Sequence, residues 1–195
     1  TFLVQLERSA DRAQAESRYR DGMELLHRGD AAGAMERFRD ALAVQRDERQ
    51  YQLALADAAL AADRPIEAAA AVAPTLEHDA TDGAANLALA RALLAQGKST
   101  QAIAYYHRGI YGHWPAPAGP RRMAVRMELI DLLARQGAKE DLLGELLLIQ
   151  NDATADSAVR RHVAHLFVLA GSPARATALF REMLQRRPDD ADALG

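Results

Sequence analysis

The sequence predicts an all-α fold assembled from helical hairpins that repeat along the chain, and three observations support that prediction. The 195 residues are 49% hydrophobic but only 5% aromatic, and Ala and Leu supply most of the apolar side chains. Ala and Leu favour helices, whereas strands are enriched in the β-branched and aromatic residues that are scarce here. Turn residues recur at a nearly constant interval, and apolar residues keep fixed distances from each turn. These patterns predict one domain, residues 1–195, of stacked hairpins.

The turn residues recur every 34 residues, with a single step of 40. Each lies between two segments whose apolar residues recur at intervals of three and four, which is typical of an amphipathic helix. A turn residue between two such helices predicts a helical hairpin. The five turn residues are Gly29, Asp63, Gly97, Gly137 and Gly171.

Three columns of residues keep the same distance from every turn. Small residues are needed where two helices cross closely, and large residues fill the gap between neighbouring hairpins. Seven residues before the turns are Gly22, Ala56, Ala90, Ile130 and Ala164. Five residues after the turns are Ala34, Ala68, Ala102, Leu142 and Ala176. Nine residues after the turns are Phe38, Val72, Tyr106, Leu146 and Phe180.

These columns resemble the tetratricopeptide repeat (TPR) family, in which position 8 is small, position 20 is Ala, position 24 is aromatic, position 27 is small and position 32 is often Pro. The fifth repeat carries the fullest match, with Ala164, Ala176, Phe180 and Pro188. The resemblance implies a right-handed superhelical α-solenoid of five hairpins. Its repeats are residues 15–48, 49–82, 83–116, 123–156 and 157–190.

The fourth repeat and the two ends depart from the pattern. Ile130 and Leu142 are large where small residues belong, so the helices of the fourth repeat are expected to splay. Neither Gly nor Pro precedes Gly22, so the first helix is expected to begin near residue 2 and to extend beyond the stack. Residues 191–195 resemble the start of another helix.

The origin and the cellular location follow only from composition and from the first residues. Residues 2–4 are Phe, Leu and Val, and they form either the apolar face of the first helix or the end of a membrane anchor that precedes Thr1. Arg outnumbers Lys 22 to 2 and Ala is abundant, which is typical of a bacterial protein. We therefore expect a location in the bacterial cytoplasm or periplasm, with tethering to the membrane as the alternative.

The segment GIYGHWPAPAGPRR, Gly109–Arg122, interrupts the regular pattern and holds the only Trp of the chain. Within it, Gly112 is expected to end a helix. Residues 117–122 are a Pro-rich insertion between the third and fourth repeats, and proline favours an extended, stiff link. Trp114 and Tyr111 are expected to pack over the gap between these repeats, and a direct contact of Trp114 with a partner is the alternative.

Several classes of function are disfavoured by the sequence. The net charge of −3 does not suit a nucleic-acid binder, and the absence of Cys excludes a thiolate nucleophile or metal site. His162 and His165 share a helix face, but no third metal ligand accompanies them. We therefore expect a protein that is not an enzyme, with no catalytic residue, cofactor or metal.

The TPR resemblance also implies a concave groove lined by positions 2, 5, 9 and 12 of each first helix. The apolar strip expected in this groove consists of Tyr19, Met23, Leu26, Leu53, Leu60, Leu87, Leu94 and Met127. The charged or titratable residues expected to line it are Asp57, Arg91, Asp131, Arg161 and His165. Lys at position 5 with Asn at position 9, by which some TPR proteins clamp a carboxylate, is absent.

An apolar strip on a concave surface suits an amphipathic helix or an apolar peptide. The sequence therefore predicts a scaffold that binds a segment of a partner protein in this groove. Three alternatives stay open. The groove residues could pack against each other, the chain could self-associate through its first helix, or it could be an accessory domain of a larger protein.

Overall fold

The computed structural model of the chain describes the backbone of residues 2–150 and 157–186, and the side chains of residues 9–150 and 158–185. These residues form α-helices and no β-strand, which confirms the all-α prediction. Pro188 and the helix expected over residues 191–195 lie outside the described residues. The helices are α1 (Phe2–His27), α2 (Ala31–Val44), α3 (Arg49–Ala61), α4 (Pro65–His78), α5 (Gly83–Ala95), α6 (Ser99–Tyr111), α7 (Ala118–Gln136), α8 (Lys139–Ile149), α9 (Ser157–Leu169) and α10 (Pro173–Arg186).

The chain groups into two compact units, residues 1–125 (unit 1) and residues 126–195 (unit 2). In unit 1, α1 pairs with α2, α3 with α4, and α5 with α6, while α2 packs on α3 and α4 packs on α5. The first helices of these hairpins also contact each other in order, α1 with α3 and α3 with α5. In unit 2, α9 packs against both α8 and α10. The single domain over residues 1–195 and the exact repeat boundaries stay predictions.

The turn within each hairpin has the same backbone structure in all five cases. The turn residue has a positive φ, between 56° and 84°, as the C′ residue of a Schellman motif does. Its N–H bonds to the carbonyl three residues earlier, and the next N–H bonds to the carbonyl five residues earlier, at 2.8–3.1 Å. The five residues are those predicted, Gly29, Asp63, Gly97, Gly137 and Gly171. Asp63 is the one residue among them that carries a Cβ into this conformation.

The first helix begins at residue 2, as expected, and is much longer than its partner. Helix α1 has 26 residues and α2 has 14, so the N-terminal part of α1 extends past the end of α2. Residues 9–14 of α1 are accordingly exposed, and Ala15 is the first buried residue among the described side chains.

The predicted contact columns form the core of the hairpins. The residues five positions after the turns are at most 2% exposed, and those seven positions before the turns are all buried. Gly22 shows why this second column is small, since a Cβ there would lie 2.6 Å from the ring of Phe38. In the third column Phe38, Val72, Tyr106 and Leu146 are buried, and only Phe180 is half-buried.

The Pro-rich segment differs from the expectation in part. Helix α6 ends at Tyr111 with Gly112 as its C-cap, as predicted. The extended link expected over residues 117–122 is wrong for residues 118–122, because α7 already begins at Ala118. Pro120 lies in the first turn of α7, where its missing N–H has no helical partner to lose.

Candidate functional site

Nine of the predicted groove residues form a three-by-three arrangement in unit 1. Each of α1, α3 and α5 contributes one residue from positions 5, 9 and 12, and this i, i+4, i+7 spacing places the three on one side of their helix. Because α1, α3 and α5 contact each other in order, the nine residues form one surface, which we call the unit 1 face. Its residues are Tyr19, Met23, Leu26, Leu53, Asp57, Leu60, Leu87, Arg91 and Leu94.

The apolar residues of the unit 1 face are partly buried and partly exposed to solvent. Every one of them is half-buried, and none is fully buried. Five of them pack against the hydrophobic core of unit 1, namely Tyr19, Met23, Leu26, Leu53 and Leu60. The core therefore fixes the apolar residues of the face, and part of their area stays in contact with solvent.

Tyr19 is the most firmly positioned residue of this face. Its ring lies 5.0 Å from that of Tyr51 and 5.7 Å from that of Phe38, measured between centroids. Its hydroxyl accepts a hydrogen bond from Gln50 Nε2 at 2.8 Å. These contacts hold the ring at one edge of the face. Little side-chain entropy is therefore lost when a ligand packs against it.

Asp57 occupies the centre of the three-by-three arrangement. Its side chain is exposed to solvent, yet burial raises its pKa, an effect that Arg91 offsets in part. Among the described residues none lies within hydrogen-bond or ion-pair distance of this carboxylate.

The four predicted residues of unit 2 have a different character. Asp131 lies 2.8 Å from Nε2 of His162, so the acidic group at position 9 already has a partner. The ring of His165 packs edge-on against Phe180, with 5.7 Å between the centroids. Met127 and Arg161 are half-buried. Sequence reasoning treated His162 as an ordinary helix histidine and did not anticipate its bond to Asp131.

Trp114 packs inside unit 1, against the first turn of α5 and the last turn of α6. Its indole N–H donates to the carbonyl of Gly109 at 2.7 Å, and a Cβ on Gly83 would lie 2.2 Å from the same nitrogen. Gly83 is therefore required for the seat of the ring. Tyr111 was expected to pack, together with Trp114, over the gap between the third and fourth repeats, and this is wrong for Tyr111, which is 66% exposed. A contact of Trp114 with a partner stays a prediction.

A column of polar residues at position 4 escaped the sequence analysis. The TPR signature carries Trp four residues before its small position, whereas here every repeat has a polar side chain. These polar residues recur at the same intervals of 34 and 40 residues as the turn residues. The sequence analysis compared apolar columns only and therefore missed them. The five residues are Arg18, Gln52, Asn86, Arg126 and Arg160.

In unit 2 the position 4 residues form ion pairs that bridge the two helices of a hairpin. Arg126 on α7 lies 3.7 Å from Glu145 on α8, and both side chains are largely buried. Arg160 on α9 lies 3.4 Å from Glu182 on α10, and the Arg side chain is buried. These pairs bridge the two helices of each hairpin, and of the four side chains only Glu182, which is 47% exposed, is open to solvent.

In unit 1 two of the three position 4 residues, Gln52 and Asn86, bond to neutral groups, whereas Arg18 lies 3.8 Å from the carboxylate of Asp40 on α2. Gln52 accepts a hydrogen bond from Thr75 on α4 and donates one to the carbonyl of Arg46 at 2.8 Å. Asn86 donates to the carbonyls of Ala80 and Asp82 at 3.0 and 2.8 Å. These bonds fix the loops between the hairpins.

A cavity of about 450 Å³ lies among these loops, and two of the acidic groups in its lining, Asp79 and Asp82, already have partners. Asp82 caps α5 by accepting from the N–H of Ala85 at 2.9 Å and also binds Arg49. Hydrogen bonds from Thr81, with smaller contributions from His113 and His78, lower the pKa of Asp79. Because both carboxylates are already bonded within the chain, the cavity makes a weaker candidate than the unit 1 face.

Two further searches concern the described part of the chain only. No helix there combines the length and apolar character needed to cross a bilayer. The same residues contain no group of three or more His, Asp or Glu side chains placed to hold a metal ion.

Comparison with solved structures identifies the fold. No family model and no curated protein matches the chain. The MamA protein has a similar structure, with a TM-score of 0.65 and 15% sequence identity over 91% of this chain and 94% of that one. A thermophilic TPR protein of Thermus thermophilus matches with a TM-score of 0.58 and 18% identity, covering 92% of this chain and 94% of that one.

YrrB, a TPR protein with an unusual peptide-binding site, matches with a TM-score of 0.58 and 14% identity. That match covers 100% of this chain and 96% of YrrB. At these levels of identity the likeness concerns the fold alone. The chain has the TPR fold, which confirms the expectation drawn from the repeat columns.

Proposed function

We propose that this TPR-fold chain is a non-catalytic scaffold that binds a helix or peptide of a partner protein on the unit 1 face. The observation that carries the proposal is the arrangement of seven half-buried apolar side chains around an exposed, unpartnered carboxylate. Apolar area that is held open by the fold favours a ligand with matching apolar side chains. YrrB, which has a similar fold, is a TPR protein with a peptide-binding site, and this supports the same class of function.

Burial of apolar surface would drive binding on this face. Burying about 400 Å² of apolar surface would contribute roughly 10 kcal/mol before the costs of association, which take up much of it. Because five of the seven apolar residues pack against the core, little side-chain entropy is lost there when a ligand binds.

The test is a crosslinking capture from the native cell with variants of the face. Leu53→Glu and Leu87→Glu each place a charge among apolar residues, so they should remove specific partners. Ile66→Glu is the matched control, because Ile66 is 74% exposed on α4 and lies outside the face. Partners that are lost with both face variants and kept with the control support the proposal. If both face variants keep every partner, the unit 1 face is not the binding site.

Self-association is the second candidate, favoured by the length of α1. The part of α1 that extends past α2 has exposed residues at positions 9–14. An unpaired helix of this kind can pair with a second copy. Multi-angle light scattering over a hundredfold concentration range tests this candidate, and a constant monomer mass would exclude it.

A further inference from the structure

The charged members of the position 9 column differ in whether the chain itself supplies a partner. In unit 2, Asp131 is bonded to His162 at 2.8 Å. In unit 1, Arg91 acts on Asp57 through a Coulombic interaction. Asp57 has no hydrogen-bond or ion-pair partner among the described residues, although it stands at the centre of the face. The acidic group in the middle of the apolar surface is thus left available.

The placement of Asp57 is unfavourable for the isolated chain. Surrounding protein removes water from the carboxylate without replacing its hydrogen bonds, and Arg91 compensates only by a Coulombic interaction. An Asn or an apolar residue at this position would avoid that loss. A residue that breaks the local rule in the middle of an accessible surface is a candidate for a functional role.

We propose, resting on the function proposed above, that the unit 1 face binds an amphipathic helix whose apolar side carries one Lys or Arg that pairs with Asp57. The complementarity is of two kinds. The apolar residues at positions 5 and 12 contact apolar residues of the partner, and the central carboxylate receives its single cation.

The dimensions of the face suit a helix. Positions 5 and 12 are seven residues apart, or about 10 Å along a helix axis, and a helix with its side chains is about 10–12 Å across. Two apolar rows at this separation therefore flank a helix that lies across α1, α3 and α5. Helices pack about 8–10 Å apart, so the face is about 20 Å wide and takes a partner segment of about 14 residues.

The cation also accounts for specificity. A neutral apolar helix would bury Asp57 with only the Coulombic interaction of Arg91 to compensate, and a helix with an acidic residue there would add like-charge repulsion. A basic residue removes both penalties. The carboxylate therefore selects among amphipathic helices that the apolar rows alone would not distinguish.

The first experiment is a selection from a phage-displayed library of 16-residue amphipathic helices. The apolar side of each helix is varied among Leu, Ala, Lys, Arg, Gln and Glu. Selection on the wild-type chain should enrich helices with one Lys or Arg within the apolar side. Selection on Asp57→Asn should lose this enrichment, and selection on Asp57→Lys should favour Glu. Asp21→Asn, an exposed carboxylate outside the face, is the matched control and should behave as wild type. The same charge statistics from wild type and Asp57→Asn would overturn the inference.

The second experiment measures affinity by fluorescence polarisation with the selected Lys peptide and its norleucine analogue. Replacing Lys by norleucine should weaken binding to wild type by about tenfold, which corresponds to a contribution of one charge pair. Asp57→Asn should bind both peptides with the same affinity. Equal affinities of wild type for the two peptides would contradict the pairing.

The outcomes separate this inference from the function on which it rests. Helices that are selected without charge preference, and that lose binding with Leu53→Glu, would refute the role of Asp57 and leave the face as a binding site. If no helix is selected, or if Leu53→Glu binds the selected helices as well as wild type does, both proposals fail. Far-UV circular dichroism and Trp114 fluorescence check that each variant is folded.

Discussion

The second hairpin of unit 1 and the first hairpin of unit 2 hold their two helices together in different ways. In the unit 1 hairpin the crossing residues are Ala56 and Ala68, and the polar contact beside them is the neutral bond between Gln52 and Thr75. In the first hairpin of unit 2 they are Ile130 and Leu142, and the polar contact is the ion pair of Arg126 with Glu145. Larger side chains at a contact increase the distance between helix axes, and Arg with Glu spans more distance than Gln with Thr. In these two hairpins the larger crossing residues are therefore accompanied by the longer bridging side chains.

The largest effect is expected where unit 1 has no room. Ala102 is fully buried between α5 and α6, so Ala102→Trp should lower the free energy of unfolding by more than about 3 kcal/mol. Ala104→Trp on the exposed side of the same helix is the control and should change it by less than about 0.5 kcal/mol. Urea denaturation followed by circular dichroism measures both. Equal midpoints for the two variants would contradict the close helix crossing.

The second effect tests the bridge in unit 2. Arg126→Ala removes the ion pair with the buried Glu145 and should cost about 3 kcal/mol. The corresponding change in unit 1, Gln52→Ala, removes a neutral hydrogen bond and should cost about 1–2 kcal/mol. Replacing both charges, as Arg126→Met with Glu145→Leu, should recover most of the lost stability. If Arg126→Ala alone is as stable as wild type, the pair does not brace the hairpin.

The third effect concerns the seat of Trp114, which belongs to unit 1. A Cβ on Gly83 would lie 2.2 Å from the indole nitrogen, so Gly83→Ala should displace the ring and break its bond to Gly109. We expect a loss of about 1–3 kcal/mol and a red shift of the single-Trp fluorescence. Gly119→Ala is the control, because nothing lies within 4 Å of the added Cβ. An unchanged emission maximum in Gly83→Ala would show that the ring is not seated there.

The smallest effect concerns Asp57, which lacks the hydrogen-bond partner that Asp131 has in unit 2. Burial raises the pKa of Asp57, so the folded chain holds a proton more tightly than the unfolded chain, and stability falls as the pH rises through this range. Asp57→Asn should therefore stabilise the chain at pH 7, by less than about 1 kcal/mol because the group is exposed.

This gain should vanish below the ordinary pKa of an Asp, where the wild-type carboxyl is protonated in both states. Thermal melts of wild type and Asp57→Asn at pH 7 and pH 3 measure the difference. A melting temperature that drops with Asp57→Asn at pH 7 would mean that the carboxylate is stabilised within the fold after all.

The turns were predictable because their cause is local. A residue at C′ of a helix must adopt a positive φ, Gly does so at least cost, and the same residue type recurs where the same turn recurs. Asp63 was found by register alone, and the structure shows it in the same conformation as the four glycines. The small columns were predictable for a related reason, since close crossing excludes large side chains at every copy.

Other features could not be read from the chain because each depends on two segments that are distant in sequence. The seat of Trp114 on Gly83 joins residues 31 positions apart, and the bond of Asp131 to His162 spans the same separation. The start of α7 within the Pro-rich segment depended on which prolines fell in a first turn, where they are tolerated.

The sequence by itself determined the helices, their turns and the small positions at which hairpins approach, because periodicity, turn chemistry and side-chain volume act along the chain. Only the tertiary structure decided which polar groups are paired. Gln52, Arg126 and Asp131 find partners on neighbouring helices, while Asp57 finds none among the described residues. Pairing depends on which side chains come within about 3–4 Å of each other, and the packing of helices sets those distances.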